Sequence, residues 1–275
     1  MAKYSIITTC KGRLGDLMES LPQLIKQPES EVIVVDYDCP QGTKDVLSEG
    51  YPSVATEKVF DRPRFNLSEA RNIGTRNASG DIFIFIDADV VVGDNFVSHL
   101  GFPNLDKVYG VFRRGRSRSL NGSCIIRKSD FFDVGGYDEL LSGYSGEDLD
   151  IYMRLRNIGV RQIVIDTNEI KKVIEQSVEE KTRYRQTDLK KDFLRGQLYQ
   201  LMKEAVLNNG SMANLSMPIK KRLMNIVDKQ LEYVFSGESD FKAEIEFEDK
   251  YKRGLLSEWE FSTTVSVNAK KRLSS

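Results

Sequence analysis

Two aspartates one residue apart, Asp87-Ala88-Asp89, close the most strand-like stretch of the chain, Asp81-Ile82-Phe83-Ile84-Phe85-Ile86-Asp87. Side chains alternate with period two along an extended backbone, so both carboxylates are expected to project to one side and address a single cation. Carboxylates are hard oxygen donors, which suits Mg²⁺ or Mn²⁺. Aspartate is also a common turn former, and the tripeptide alone divides evenly between a cation site and a polar turn. A second acidic cluster lies in Gly143-Tyr144-Ser145-Gly146-Glu147-Asp148-Leu149-Asp150, downstream of Gly135-Gly136-Tyr137-Asp138-Glu139. Helical spacing of the apolar residues after Asp148 puts these acids in a first turn, where they complement the helix dipole. The dipole does not explain the glycines, which let a ligand come close to the backbone.

The elements that must position these acids read as an α/β layer structure over the first 165 residues or so. β-Branched runs predict strands at Tyr4 to Thr9 and Glu31 to Asp36, and Leu14, Leu17, Met18, Leu21, Leu24 and Ile25 recur at helical spacing between them. A third strand is expected at Val54 to Phe60. Asn66 is expected to cap a helix, with Glu69 completing a capping box, before the central strand that ends in Asp87. Further strands are expected at Val108 to Arg113, Ser123 to Arg127 and Gln162 to Asp166, with short helices starting near Ser129 and Ser145. Beyond about residue 180 the texture changes. Tyr184 to Asn208, Ile219 to Phe235 and Phe241 to Lys252 read as charged helices, with Gly210 and Pro218 bounding a linker. The expected division is a catalytic domain over 1–180 and a helical extension over 181–275.

Composition excludes several classes. Lys and Arg number 40 against 41 Asp and Glu, so no global field draws in nucleic acid or anionic lipid. No apolar run approaches the roughly 20 residues of a membrane span. Three cysteines, Cys10, Cys39 and Cys124, are too few and scattered for a disulfide framework or a zinc site. The opening Met1-Ala2-Lys3-Tyr4-Ser5 lacks a signal-peptide layout, and the expectation is a reduced, cytoplasmic protein. Lys270-Lys271-Arg272 could touch an anionic membrane surface only as a marginal anchor.

Four segments in order resemble a family 2 glycosyltransferase of the GT-A fold. They are Ser5 to Arg13, Val34-Val35-Asp36, Ala70-Arg71-Asn72-Ile73-Gly74 with Ala78-Ser79-Gly80, and Asp87-Ala88-Asp89. Asn121-Gly122-Ser123 and the run from Gly143 to Asp148 are similar to the acceptor-side motif of galactosyltransferases and chondroitin polymerases. The resemblance implies a Rossmann-like mixed sheet flanked by helices, the nucleotide-diphospho-sugar transferase architecture, plus the helical C-terminal extension.

It also implies roles. Thr8, Thr9, Lys11 and Arg13 would line the nucleotide pocket, Asp36 would hold the nucleobase, and Arg71 would face the nucleotide side. Asp87 and Asp89 would be the metal motif for Mn²⁺ or Mg²⁺, with Asp89 the direct ligand and Asp87 also on the donor. Asp148 would be the catalytic base, with Glu147, Gly146 and Tyr144 on the acceptor. Family members often add a downstream histidine to the metal. The only histidine here, His99, lies upstream, and Asp166, Glu169 and Glu175 are the carboxylates available downstream.

The implied reaction carries a sugar from a nucleotide-sugar donor, a UDP-sugar, to a glycan or lipid-linked glycan of a surface polysaccharide, with inversion. Arg113-Arg114-Gly115-Arg116-Ser117-Arg118 reads either as a basic loop closing on the diphosphate or an anionic acceptor, or as a solvated turn. Two rivals stand beside this reading. A nucleotidyltransferase would need a basic, glycine-rich phosphate loop, of which Lys11-Gly12-Arg13-Leu14-Gly15 is a faint version. A non-catalytic glycan-binding or assembly subunit would gain nothing from keeping both acidic pairs.

Overall fold

The β-branched runs near the start of the chain form a parallel core. In the computed structural model β1 (Tyr4–Cys10), β2 (Ser30–Tyr37) and β3 (Ala55–Val59) pair in parallel, linked by helices α1 (Leu14–Leu24) and α2 (Thr43–Gly50). Helix α3 (Leu67–Arg76) leads into β4 (Ile82–Phe85), which pairs with the free side of β1. Then come β5 (Val90–Val92), β6 (Val108–Phe112), β7 (Cys124–Arg127), α4 (Lys128–Asp133), α5 (Glu147–Asn157), β8 (Arg161–Ile165), β9 (Ile170–Val173) and α6 (Val178–Thr182). The seven-stranded sheet has the order β3-β2-β1-β4-β7-β6-β8, with β7 antiparallel to both neighbours. Strands β5 and β9 form a separate antiparallel ribbon. The structure describes residues 3–102, 106–112, 120, 122–166, 168–185, 188–210, 213–235, 240–249 and 261–270.

Strand β4 is buried on both faces, as its uninterrupted apolar run requires. Ile82, Ile84 and Ile86 face one cluster with Leu17 and Leu21 of α1, while Phe83 and Phe85 face another with Phe131, Tyr137, Ile151 and Tyr152. Each such side chain contributes about 1.5–3 kcal/mol by leaving water, so this strand is the fixed axis from which the Asp87 turn hangs. At its amino end Gly80 lies so close to Tyr4 and Ser5 that a Cβ would meet their backbone at 2.6 Å. The Glu31 carboxylate ties that corner together, accepting from the Ser5 hydroxyl at 2.6 Å and from the Ser79 amide at 2.6 Å.

Helix α3 is capped by Asn66, whose side chain accepts the Glu69 amide at 3.2 Å. The expected return half of a capping box is absent. The Glu69 carboxylate turns instead to Arg62, at 3.0 Å, and to the Tyr37 hydroxyl, because a charge-assisted bond is stronger than one to a neutral amide.

The chain divides into two compact units, Met1–Asp192 and Phe193–Ser275. The division falls beyond the expected one at residue 180, since Tyr184 packs on Gly12 and Asp192 on Gly143. Helix α7 (Leu189–Gly210) spans the division, and α8 (Met217–Phe235) follows after the expected linker. The third expected helix, over Phe241 to Lys252, is wrong. The chain there forms β10 (Asp240–Asp249), paired antiparallel with β11 (Phe261–Lys270). Phe241, Ala243, Ile245 and Phe247 alternate with Lys242, Glu244, Glu246 and Glu248, a period of two that the density of charge hides. Among the described residues no helix is long and apolar enough to cross a membrane.

Candidate active site

The chain leaves β4 and closes a turn, with the Val90 amide donating to the Asp87 carbonyl at 3.1 Å. The extended geometry expected for Asp87-Ala88-Asp89 is therefore not what sets the two carboxylates. Each is held by its own arginine. Arg71 Nη2 donates to Asp87 Oδ1 at 3.0 Å, and Arg13 Nη1 to Asp89 Oδ2 at 3.2 Å. Asp89 is 8% exposed, and its Oδ1 is buried with no hydrogen-bond partner. Burial, reinforced by the Asp87 charge and relieved in part by Arg13, pushes its carboxyl up to about 7. A dry carboxylate oxygen beside a second carboxylate is a mismatch that a cation corrects, so the turn fits a divalent metal.

No side chain of the described residues completes a protein cage. Among them no group of three or more His, Cys, Asp or Glu side chains could hold a metal ion. His99 pairs with Glu169 at 3.1 Å on the surface, Asp166 accepts the Asn168 amide at 3.0 Å, and Glu175 is exposed.

The second acidic cluster is built from a sharply turned approach. Gly136 adopts φ +69°, and a Cβ there would press on Asn72 Oδ1 at 2.8 Å. Asn72 needs that closeness, because its amide group accepts the Tyr137 N–H and donates to the Tyr137 carbonyl, both at 2.9 Å. The Tyr137 hydroxyl accepts from Arg71 Nη1 at 3.2 Å. One buried guanidinium thus joins the Asp87 turn to the approach of α5. Gly146, at φ +76°, precedes α5, and Glu147 and Asp148 open it. Burial and the neighbouring Glu147 charge push Asp148 up to about 6, against smaller opposing pulls from the Leu149 amide and Arg71.

A fully buried ion pair anchors α5 from behind. Arg154 Nη2 donates to Asp150 Oδ2 at 2.6 Å, and Nη1 reaches the carbonyls of Val134 at 2.5 Å and Gly136 at 2.7 Å.

This constellation agrees with what the chain matches. Residues 5–114 match glycosyl transferase family 2, and residues 112–181 match the N-terminal domain of galactosyltransferase. The two matches meet between the two acidic clusters. The chain is a glycosyltransferase of the GT-A fold, matched to family 2 over residues 5–114.

Solved structures share the transferase's fold at low identity. S. aureus TarS 1-349 aligns with a TM-score of 0.54 at 20% identity, over 85% of this chain and 72% of its own. A mannosyltransferase from Pyrobaculum calidifontis, PcManGT, solved with GDP-Man and Mn²⁺, aligns at 0.53 and 14% identity, over 86% and 76%. GalNAc-T7 with UDP, GalNAc and Mn²⁺ aligns at 0.55 and 15%, over 86% and 58%.

The expected pocket residues are not placed alike. Arg13, Arg71, Asp87, Asp89, Glu147 and Asp148 are linked by the contacts and charges above, and Thr9 is half-buried on the same strand end. Lys11 is not available to a ligand. Its ammonium donates to the carbonyls of Tyr37, Asp38 and Arg62 at 3.2, 2.8 and 2.7 Å, which occupies all three protons. Asp36 is fully buried and accepts the amides of Cys39 and Lys44, each at 2.8 Å, so the structure shows it closing the turn after β2. Thr8 is also fully buried, its hydroxyl without a partner.

Tyr144 is half-buried beneath the Arg185 guanidinium, 4.2 Å from the ring centroid. Asn72 and Tyr137 lie inside the motifs, but their spacing alone does not mark them as side chains of the site. Arg185 gave no local signal. Arg113 to Arg118 and Asn121 lie outside the described residues.

Proposed function

We propose that this transferase moves a sugar from a UDP-sugar to a hydroxyl of a glycan acceptor, inverting the anomeric configuration, with Mn²⁺ or Mg²⁺ held by Asp87 and Asp89. The observation that carries the reading is Arg71. This one buried side chain bonds Asp87 and Tyr137 and exerts its charge on Asp148, so both acidic pairs belong to one site.

A divalent cation at Asp87 and Asp89 would supply charge neutralisation for the departing nucleoside diphosphate. The remaining work falls to the chain itself. Arg13 and Arg71 fix the two aspartates so that their oxygens are placed before the donor arrives. Asp148 takes the proton of the acceptor hydroxyl as that oxygen attacks the anomeric carbon. Its carboxyl, raised to about 6, is still ionised at neutral pH and is a stronger base than an exposed aspartate. Glu147 beside it accepts a hydrogen bond from the acceptor and sustains that basicity, while Gly146 and Tyr144 shape the approach. One base beside an attacking hydroxyl supports a single displacement, whereas a covalent route would add a nucleophilic carboxylate beneath the sugar.

UDP stands in the GalNAc-T7 complex and in a second TarS structure, which aligns with a TM-score of 0.52 at 18% identity, while GDP-Man stands in the mannosyltransferase. The proposed acceptor is a glycan, free or lipid-linked, of a surface polysaccharide, met at the cytoplasmic side. Lys11 counts against a nucleotidyltransferase, since its ammonium is already engaged by backbone carbonyls. A panel of UDP- and GDP-sugars with Mn²⁺ tests the reading. Release of nucleoside diphosphate is expected, and pyrophosphate would overturn it. Proton NMR of the glycoside formed from an α-linked donor should show a β anomeric coupling, and an α coupling would refute the role of Asp148 in a single displacement.

A further inference from the structure

Two consecutive residues grip opposite halves of the site. Tyr184 lays its ring against Gly12, which at φ +68° has no space for a Cβ on that side. Lys11 Nζ lies 5.7 Å from the centroid of the same ring. Arg185, the next residue, stacks its guanidinium 4.2 Å from the Tyr144 ring centroid and donates to the Gly143 carbonyl. Its other neighbour is the Phe65 ring, at 5.5 Å. The Phe65 amide in turn donates to the Tyr184 carbonyl at 2.8 Å, which locks the dipeptide to the loop before α3.

The two loops gripped are those that matter. Lys11 to Arg13 follows β1 and delivers Arg13 to Asp89, and Gly143 to Gly146 ends at the first residues of α5, Glu147 and Asp148. Backbone bends at Gly12, Gly143 and Gly146, all at positive φ, leave both loops without the regular hydrogen bonding that holds a strand or helix. Packing by Tyr184 and Arg185 adds to the polar bonds of Lys11 and Arg13 in holding them. A planar guanidinium between two aromatic rings suits that task better than an ammonium, because its face stacks while its edge still donates.

We infer that Tyr184 and Arg185 are positioning residues that tie the Lys11–Arg13 loop to the Gly143–Gly146 loop, so that the two halves of the site take up their geometry together. The donor and acceptor names of these loops rest on the function proposed above. The mechanical tie does not.

Hydrogen exchange on the full chain tests it without a ligand. Tyr184→Ala removes a side chain that packs on Gly12 and Lys11, yet exchange at Gly143–Gly146 should rise by about tenfold as well. Arg185→Ala should likewise loosen Lys11–Arg13, while β4 stays protected in both variants. Local roles alone would loosen only the loop each side chain touches, and that outcome overturns the inference. If Arg185→Ala fails to fold, Arg185→Lys keeps the charge and loses the stacked plane, and should show the same pattern more weakly. Adding UDP with Mn²⁺ should protect both loops of the wild-type chain but only Lys11–Arg13 in the Arg185 variant. Equal protection of both loops in that variant also overturns the tie. If UDP with Mn²⁺ does not bind the wild-type chain, the donor assignment falls, and the ligand-free exchange still decides the tie.

Discussion

The Asp87-Ala88-Asp89 turn and the Glu147-Asp148 helix start are both acidic pairs with one member pushed up by burial and then by its neighbour. Their partners differ. Asp89 has Arg13 on one oxygen and nothing on the other, inside a turn tied to a rigid strand. Asp148 accepts only the amide of the following residue at 2.9 Å and carries no ion pair among the described residues. The same cost of burial therefore serves two ends. A carboxylate with an unfilled oxygen beside a second carboxylate is ready for a cation, and one with no cation of its own is ready for a proton.

The largest effect that can break this contrast is at the metal end. Asp89→Ala should abolish Mn²⁺-dependent UDP binding and with it transfer, measured by titration calorimetry and by product formation. Retained Mn²⁺-dependent binding would place the cation elsewhere.

At the base end, Asp148→Asn keeps the shape and loses the proton acceptor. Transfer should fall by about 10²-fold or more with UDP affinity unchanged, the separation that single-turnover and binding measurements can show.

A subtler test concerns the neighbour. Activity in the wild type should rise with pH to a plateau with its midpoint near 6, where Asp148 loses its proton. Glu147→Gln removes the adjacent negative charge, so that midpoint should move to lower pH even if the acceptor KM rises. A midpoint that stays in place would mean that the pair does not act as one.

The smallest expected effect is on stability. Asp148 binds its proton more tightly folded than unfolded, so between the ordinary value of 3.8 and about 6 the folded chain holds more protons than the unfolded one. Stability from this group is then lost as pH rises through that window. Asp148→Asn lacks that loss, and its Tm relative to wild type should climb from pH 4 to pH 7. A constant difference would show that burial does not strain the charged form.

The seven strands of the main sheet and both acidic motifs are legible because they are local patterns. β-Branched runs, the Asn66 cap and the glycines before α5 each declare themselves within a few residues. What a local pattern does not report is closure of the chain. Lys11 and Asp36 have the right chemistry for a ligand, but the turn after β2 folds back and engages their polar atoms with backbone groups. No spacing rule reports that. Arg185 belongs to the site through a contact with Tyr144, and only the path of the chain after β9 brings it there. At β10 the alternation of apolar and charged residues is present in the sequence, but the charge density favours a helical pattern over it.

Arg154 sits fully buried against Asp150 on the rear of α5, bonded also to the carbonyls of Val134 and Gly136. An apolar pair of similar volume could stabilise such a spot as well or better, so the ion pair is weakly justified by stability. Its consequence is azimuthal. A helix packed only by greasy contacts can roll, and a roll of about 20° moves a group about 5 Å from the axis by roughly 2 Å. Misplacement of about 1 Å can cost a reaction 10²-fold. Four directional bonds from one guanidinium, Nε and Nη2 to Asp150 and Nη1 to the two carbonyls, act as a keyway, fixing the compass bearing of the helix and therefore the side of it from which Asp148 looks into the site.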